Sequence, residues 1–170
     1  MVKELTKKMI DIVRLQMLYN ISNGWSWYAY KKLGPKGIIE IEMEMWDQLM
    51  PPAVDLLYQL IEPEGNKIEK ARQVLTQVSK INGYIPKNIE QTLKSLKWEY
   101  KNCPNWNSMI QMDLDDYISK SGKPAKVSCI HGCTKIHTHY FKKIDPKIKV
   151  QCIKNRPAAN DTCIFEISFE

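Results

Sequence analysis

Leu5, Met9, Ile12, Val13 and Met17 recur with a helical period, so residues 4–20 are expected to form an amphipathic helix. Ser22-Asn23-Gly24 has the chemistry of a break and a new cap, and a second helix is expected through Trp25, Trp27, Tyr28 and Tyr30 to Leu33. Gly34-Pro35 should end it, with Pro35 placed well as the first residue of a third helix. Ile38, Ile39, Met45, Trp46 and Leu49 then draw an apolar stripe, which Pro51-Pro52 should stop or sharply bend. Residues 53–61 continue apolar, and Pro63-Glu64-Gly65-Asn66 reads as a turn. A further helix over about 67–80 rests on Ile68, Ala71, Leu75 and Val78. After the junction at Asn82-Gly83 and Pro86, Asn88 to Trp98 reads as helical. Asn102-Cys103-Pro104-Asn105 interrupts it, and 108–119 suits either a helix or a strand.

The period changes after Gly122. Ala125 to Ile130 is a short strand candidate. Ile148, Val150 and Cys152 alternate with lysine and glutamine over Lys147 to Ile153. Cys163, Phe165, Ile167 and Phe169 alternate likewise over Thr162 to Phe169, and Asn155 to Asp161 suits a hairpin loop. The expected fold class is α+β in a single domain over 1–170. A helical N-terminal layer (about 1–120) packs on a small antiparallel C-terminal sheet (about 121–170).

Composition narrows the function classes. At 44% hydrophobic and 26% charged, the chain suits a globular domain rather than a disordered one. No apolar run reaches signal-peptide or membrane-span length, so a soluble, cytoplasmic protein is expected. The net charge of +6 lies wholly in residues 120–170, with 10 basic and 4 acidic groups against 15 and 15 before them. Of 25 basic residues 22 are lysine, and with no recognisable module nucleic-acid binding is not expected. Five cysteines without a signal peptide argue for free thiols, metal ligands or a nucleophile, not for a disulfide framework.

The chemistry concentrates in Cys129-Ile130-His131-Gly132-Cys133-Thr134-Lys135-Ile136-His137-Thr138-His139, which holds all three histidines. On a helix Cys133 and His137 share a face; in a strand Cys129, His131 and Cys133 do. A symmetric hairpin register would set Cys152 opposite Cys163. Cys129 or Cys133 with Cys152, Cys163 and a histidine or fourth cysteine then makes a tetrahedral zinc site, the expected metal ligands being Cys129, Cys133, Cys152 and Cys163. The plainer alternative is small buried hydrophobes. Alternatively Cys129 or Cys133 is a nucleophile with His131, His137 or His139 as its base, Cys129 and His131 being the candidate pair. Trp25, Trp27, Tyr28 and Trp46 are candidate walls of a ligand pocket, though aromatics at helical spacing are more often core. An exposed aromatic or Met face would favour a homodimer. Asp113, Asp115 and Asp116 lack the glycine and terminal Glu of a calcium loop.

Two stretches carry a resemblance. Asn23-Gly24-Trp25-Ser26-Trp27 with Gly34, Glu42 and Trp46 is one; Ile144-Asp145-Pro146-Lys147-Ile148-Lys149-Val150-Gln151-Cys152 with Pro157 and Asp161-Thr162-Cys163-Ile164-Phe165-Glu166 is the other. Over roughly 15–60 and 125–170 the chain resembles an uncharacterised prokaryotic "cytosolic protein" family, a domain of unknown function. Its C-terminus is similar to 4-vinyl-reductase-like domains and to 2-amino-thiazoline-carboxylate hydrolases. The sensors of the former group imply zinc on Cys152 and Cys163, with Cys129 or Cys133 as third ligand, beside a pocket for small aromatic effectors. The hydrolases imply a reactive cysteine at Cys129. The chain departs from the sensors at Lys149, where they supply an acid, and at Glu42, where Asp is expected.

The expected function is therefore a small-molecule-binding domain with a Cys-rich, zinc-holding site. The alternative is a cysteine- or zinc-dependent hydrolase of a small anionic substrate.

Overall fold

The computed structural model describes residues 5–111, 128–156 and 161–170. Helix α1 (Lys7–Ile61) starts at Thr6, whose hydroxyl accepts from the Met9 N–H at 3.3 Å. It leaves helical geometry at Gly34 alone, at φ 69° and ψ −178°, so two helices meet there across a kink, as the expected end at Gly34 and start at Pro35 require. The expected break at Ser22-Asn23-Gly24 is absent. Asn23 is buried instead, donating to the Asn105 carbonyl and the Ser108 hydroxyl at 3.1 Å each, so a tertiary partner takes the polarity that suggested a cap. Nor does Pro51-Pro52 stop the helix. Each proline leaves the carbonyl four residues earlier without its N–H, but Asp47, Gln48, Pro51 and Pro52 are all exposed, where water satisfies those groups.

Helix α2 (Lys67–Ile81) matches its expectation. Asn66 and Glu69 cap it reciprocally, side chain to backbone N–H, at 3.0 and 2.8 Å. The segment read as a helix from Asn88 to Trp98 is instead a hairpin, β1 (Pro86–Gln91) and β2 (Ser95–Tyr100). In β2, Leu96, Trp98 and Tyr100 point inward and Lys97 and Glu99 outward, a period of two that fits a half-buried strand. Half of the sheet thus falls inside the part expected to be helical, which corrects the boundary near residue 120.

Helix α3 (Pro104–Gln111) follows, and 108–111 of the ambiguous segment is helical; its remainder, with Asp113, Asp115 and Asp116, lies outside the described residues. Of the strand expected over Ala125 to Ile130, only Ser128 to Ile130 is described, and it belongs to a π-helical turn (Ser128–Gly132) leading into α4 (Cys133–Lys142). Strands β3 (Lys149–Lys154) and β4 (Cys163–Ser168) confirm the C-terminal hairpin. The chain is an α+β fold, its antiparallel sheet ordered β1-β2-β4-β3.

One face of this sheet, from Leu96, Trp98, Tyr100, Phe165, Ile167 and Phe169, packs on Ala71, Val74, Leu75 and Val78 of α2, Leu57 of α1 and Phe141 of α4. Lys67 of α2 pairs with Asp145 after α4 at 2.5 Å, fixing one helix over the other. Among the described residues no helix is long and apolar enough to cross a membrane.

Candidate functional site

The Cys/His segment is placed by α1. Gly132 is buried where the π-helical turn meets α4, and an added Cβ would lie 3.5 Å from Trp46 Nε1 and 3.7 Å from Glu42 Oε2. Glu42 is itself buried and accepts from the Ser26 hydroxyl at 3.1 Å. The second half of α1 thus forms the wall behind the Cys/His turn.

Beneath α4 is a cavity of about 20 Å³, lined by Cys103, Cys133, Cys163, His137, Asn155 and Arg156 together with aromatic rings from the sheet and α3. A space this size takes one water-sized group. His137 is 6% exposed, stacked on Phe165 with ring centroids 4.8 Å apart. Its Nδ1 lies 2.7 Å from the Cys133 carbonyl, which only accepts, so Nδ1 carries the proton and Nε2 a lone pair. Burial holds the ring's pKa down at about 4, so the imidazole is neutral. Nε2 is buried with no hydrogen-bond partner, and so is the amide nitrogen of Asn155. The cavity therefore joins an unfilled acceptor to an unfilled donor.

Its thiols are not alike. Cys103 caps α3, its sulfur accepting from the Trp106 N–H at 3.3 Å, and burial pushes its pKa up. Burial pushes the Cys133 thiol well up, with the neighbouring cysteines and Glu42 acting the same way. Cys163 receives the Arg156 Nε–H at 3.2 Å, while the other arms of that buried guanidinium reach the carbonyls of Lys101 and Tyr100 at 3.2 and 2.7 Å.

On the outer side of α4 a groove of about 490 Å³ runs between α1, α4 and the edge strand β3. Met43, His131, Thr134, Lys135, Thr138 and Cys152 are among its walls, and its size suits a small molecule. Cys152 donates to the Lys154 carbonyl at 3.5 Å, and burial raises its thiol to about 11, so at neutral pH it is no ready nucleophile. His131 is exposed; Cys129 lies in the π-helical turn, with its side chain outside the described residues. His139 lies elsewhere, 3.0 Å from Asp47, which Lys135 also binds at 2.7 Å.

The expected juxtapositions are met only in part. Cys133 and His137 share the inner face of α4, as helical spacing implies. Cys152 stands opposite Phe165, not Cys163, because the hairpin does not close symmetrically about its loop: Lys154 already faces Ile164, and the irregularity between Cys152 and Lys154 offsets this by only one residue; Cys163 pairs with Tyr100 of β2. Consequently Cys152 borders the groove while Cys133 and Cys163 border the cavity. Among the described residues no three His, Cys, Asp or Glu side chains are grouped to hold a metal ion. The sulfur of Cys163 lies against a guanidinium and the Asn155 amide offers a donor, both of which suit an electron-rich occupant over a cation. Of the zinc ligands expected, Cys152 stands apart from Cys133 and Cys163, and the side chain of Cys129 lies outside the described residues.

Trp25 and Tyr28, expected as pocket walls, are 73% and 63% exposed; Trp27 is half-buried under Lys31 and Trp46 half-buried against Gly132. They do not enclose a common cavity. Cys103, Asn155 and Arg156 were not among the expected site residues. Arg156 did carry a signal, as one of three arginines in a lysine-rich chain and the one in the hairpin loop. Comparison with known protein families, curated proteins and solved structures finds no match to this chain.

Proposed function

We propose that this chain is a small-molecule-binding domain whose Cys-rich site is the cavity under α4, taking a small uncharged group that both donates and accepts hydrogen bonds. The observation that carries this reading is the pair of buried, unpartnered polar atoms, His137 Nε2 and the Asn155 amide nitrogen, bordering one water-sized space. Leaving such groups unfilled costs about 1–3 kcal/mol each, so an occupant that bonds both is favoured by an amount of that order. A hydroxyl head, about the size of one water, satisfies both atoms. A hydrolase reading has less support, because the described thiols of Cys103, Cys133 and Cys152 are all pushed toward the protonated form and the buried imidazole is a weak base.

The test pairs ligand-detected NMR, with methanol as probe, with elemental analysis and thiol titration with and without chelator. Saturation transfer to methanol in the wild type and none in the His137→Phe/Asn155→Leu double variant is expected. That variant removes two unsatisfied groups together with the bonds of His137 Nδ1 to the Cys133 carbonyl and of the Cys163 thiol to Asn155 Oδ1, and circular dichroism checks that it is folded. About one zinc per chain, with thiols protected until chelator is added, would overturn the uncharged-ligand reading in favour of a zinc site.

A further inference from the structure

The first half of α1 buries only one of its faces. Tyr19, Asn20, Asn23 and Ser26 turn inward: Tyr19 donates to the Asn82 carbonyl at 2.9 Å, Asn20 accepts from Ser108 at 2.6 Å, and Asn23 binds α3. At 100° per residue the opposite face carries Arg14, Met17, Leu18, Ile21, Trp25 and Tyr28. Its five large apolar side chains are 57 to 73% exposed. Isolated exposed apolar residues are ordinary, whereas five on one stripe of about 16 Å mark a covered surface.

We propose that this stripe is the interface of a homodimer, two copies of α1 pairing antiparallel about a two-fold axis at Ile21. The sequence is self-complementary about that point. In an antiparallel pair centred there, facing residues have numbers summing to about 42. Ile21 meets its own copy, and Leu18 meets the partner's Trp25. Met17 lies over the partner's Gly24, where the missing side chain leaves room. Arg14 faces the partner's Tyr28 as a cation over a ring, and Asp11 comes beside the partner's Lys32, the one acid of the exposed face against a base. Each of these contacts but the Ile21 pair occurs twice. The five apolar side chains offer on the order of 600 Å² per copy, near the ~800 Å² per partner of a standard interface. A flat anionic membrane would use the apolar residues and the lysines but leaves Asp11 facing like charge. The matched order of charges and sizes along the helix favours a second copy.

Sedimentation velocity on the full chain at micromolar concentration should give twice 19.9 kDa. Ile21→Glu should return it to the monomer with an unchanged circular dichroism spectrum, since Ile21 is solvent-exposed in the single chain. Under mild oxidation Ile21→Cys should cross-link to itself above the wild-type background. A mixture of Leu18→Cys and Trp25→Cys should cross-link between variants, and Leu49→Cys, exposed on the second half of α1, should not. A monomeric wild type, a dimer that survives Ile21→Glu without self-linking at position 21, or a monomer that floats with phosphatidylserine vesicles overturns the proposal.

Discussion

His137 shows how a single residue's environment sets its chemistry. The same imidazole on a surface would be half protonated near pH 6.5; between Trp98, Phe165 and Phe141 it stays neutral down to about pH 4. The linkage sign follows. Between these values the unfolded chain binds a proton that the native state refuses, so stability from this group is full above about pH 6.5. It falls as the pH drops toward 4, by about 3 kcal/mol in all. Urea unfolding at pH 7 and pH 4.5 should show this loss in the wild type and a flatter profile in His137→Phe. Equal slopes in the two proteins would mean that the imidazole is hydrated. Carboxylates such as Asp145 and Asp161, held low by Lys67 and Lys154, titrate in both proteins and cancel in the difference. The spacing of Cys133 and His137 is legible in the sequence, because an i, i+4 pair shares a helix face. Burial is not, since an isolated histidine on an apolar face has no fixed pKa until its neighbours are known.

At the scale of elements, Gly34 and Trp98 carry contrasting lessons. Gly34 sits at φ 69° and ψ −178°, backbone that side-chain-bearing residues essentially do not adopt, with open space around the position of a Cβ. Gly34→Ala should therefore cost about 1–3 kcal/mol through backbone strain alone, read from the urea midpoint, with no clash to relieve. An unchanged midpoint would show that the kink is not required. Glycine and proline announce themselves locally, which is why this kink was foreseeable. The strand β2 was not. Leu96, Trp98 and Tyr100 alternate over three positions only, too few to outweigh a helical reading, and what selects the strand is hydrogen bonding to β4, 63 to 73 residues further along the chain. Asn23 and Pro51-Pro52 err the other way. Their breaking chemistry is local, and a buried partner in one case and water in the other neutralise it.

Across the molecule, Arg156 joins parts that no local pattern connects. From the β3–β4 loop it binds Cys163 and the carbonyls of Tyr100 and Lys101, which closes the hairpin onto the segment between β2 and α3 and walls the cavity. A lysine keeps the charge but cannot span three acceptors in a plane. Arg156→Lys should lower stability by about 2–4 kcal/mol and speed the reaction of Cys163 with a thiol reagent, measured by labelling and mass spectrometry. A variant as stable as the wild type would show that the guanidinium does not hold the hairpin closed.

Near neighbours in the chain suffice for the α+β class, the extents of α2 and the C-terminal hairpin, the kink at Gly34, and the face shared by Cys133 and His137. Everything else waited on the packing of distant segments. Packing placed Cys103 and Arg156 at the cavity, set Cys152 opposite Phe165 rather than Cys163 through the asymmetric register of the hairpin, turned 86–100 into strands, and left His137 Nε2 buried without a partner. Backbone geometry and capping are set within a few residues, whereas burial, register and the pKa of an enclosed group depend on which remote parts of the chain exclude water around them.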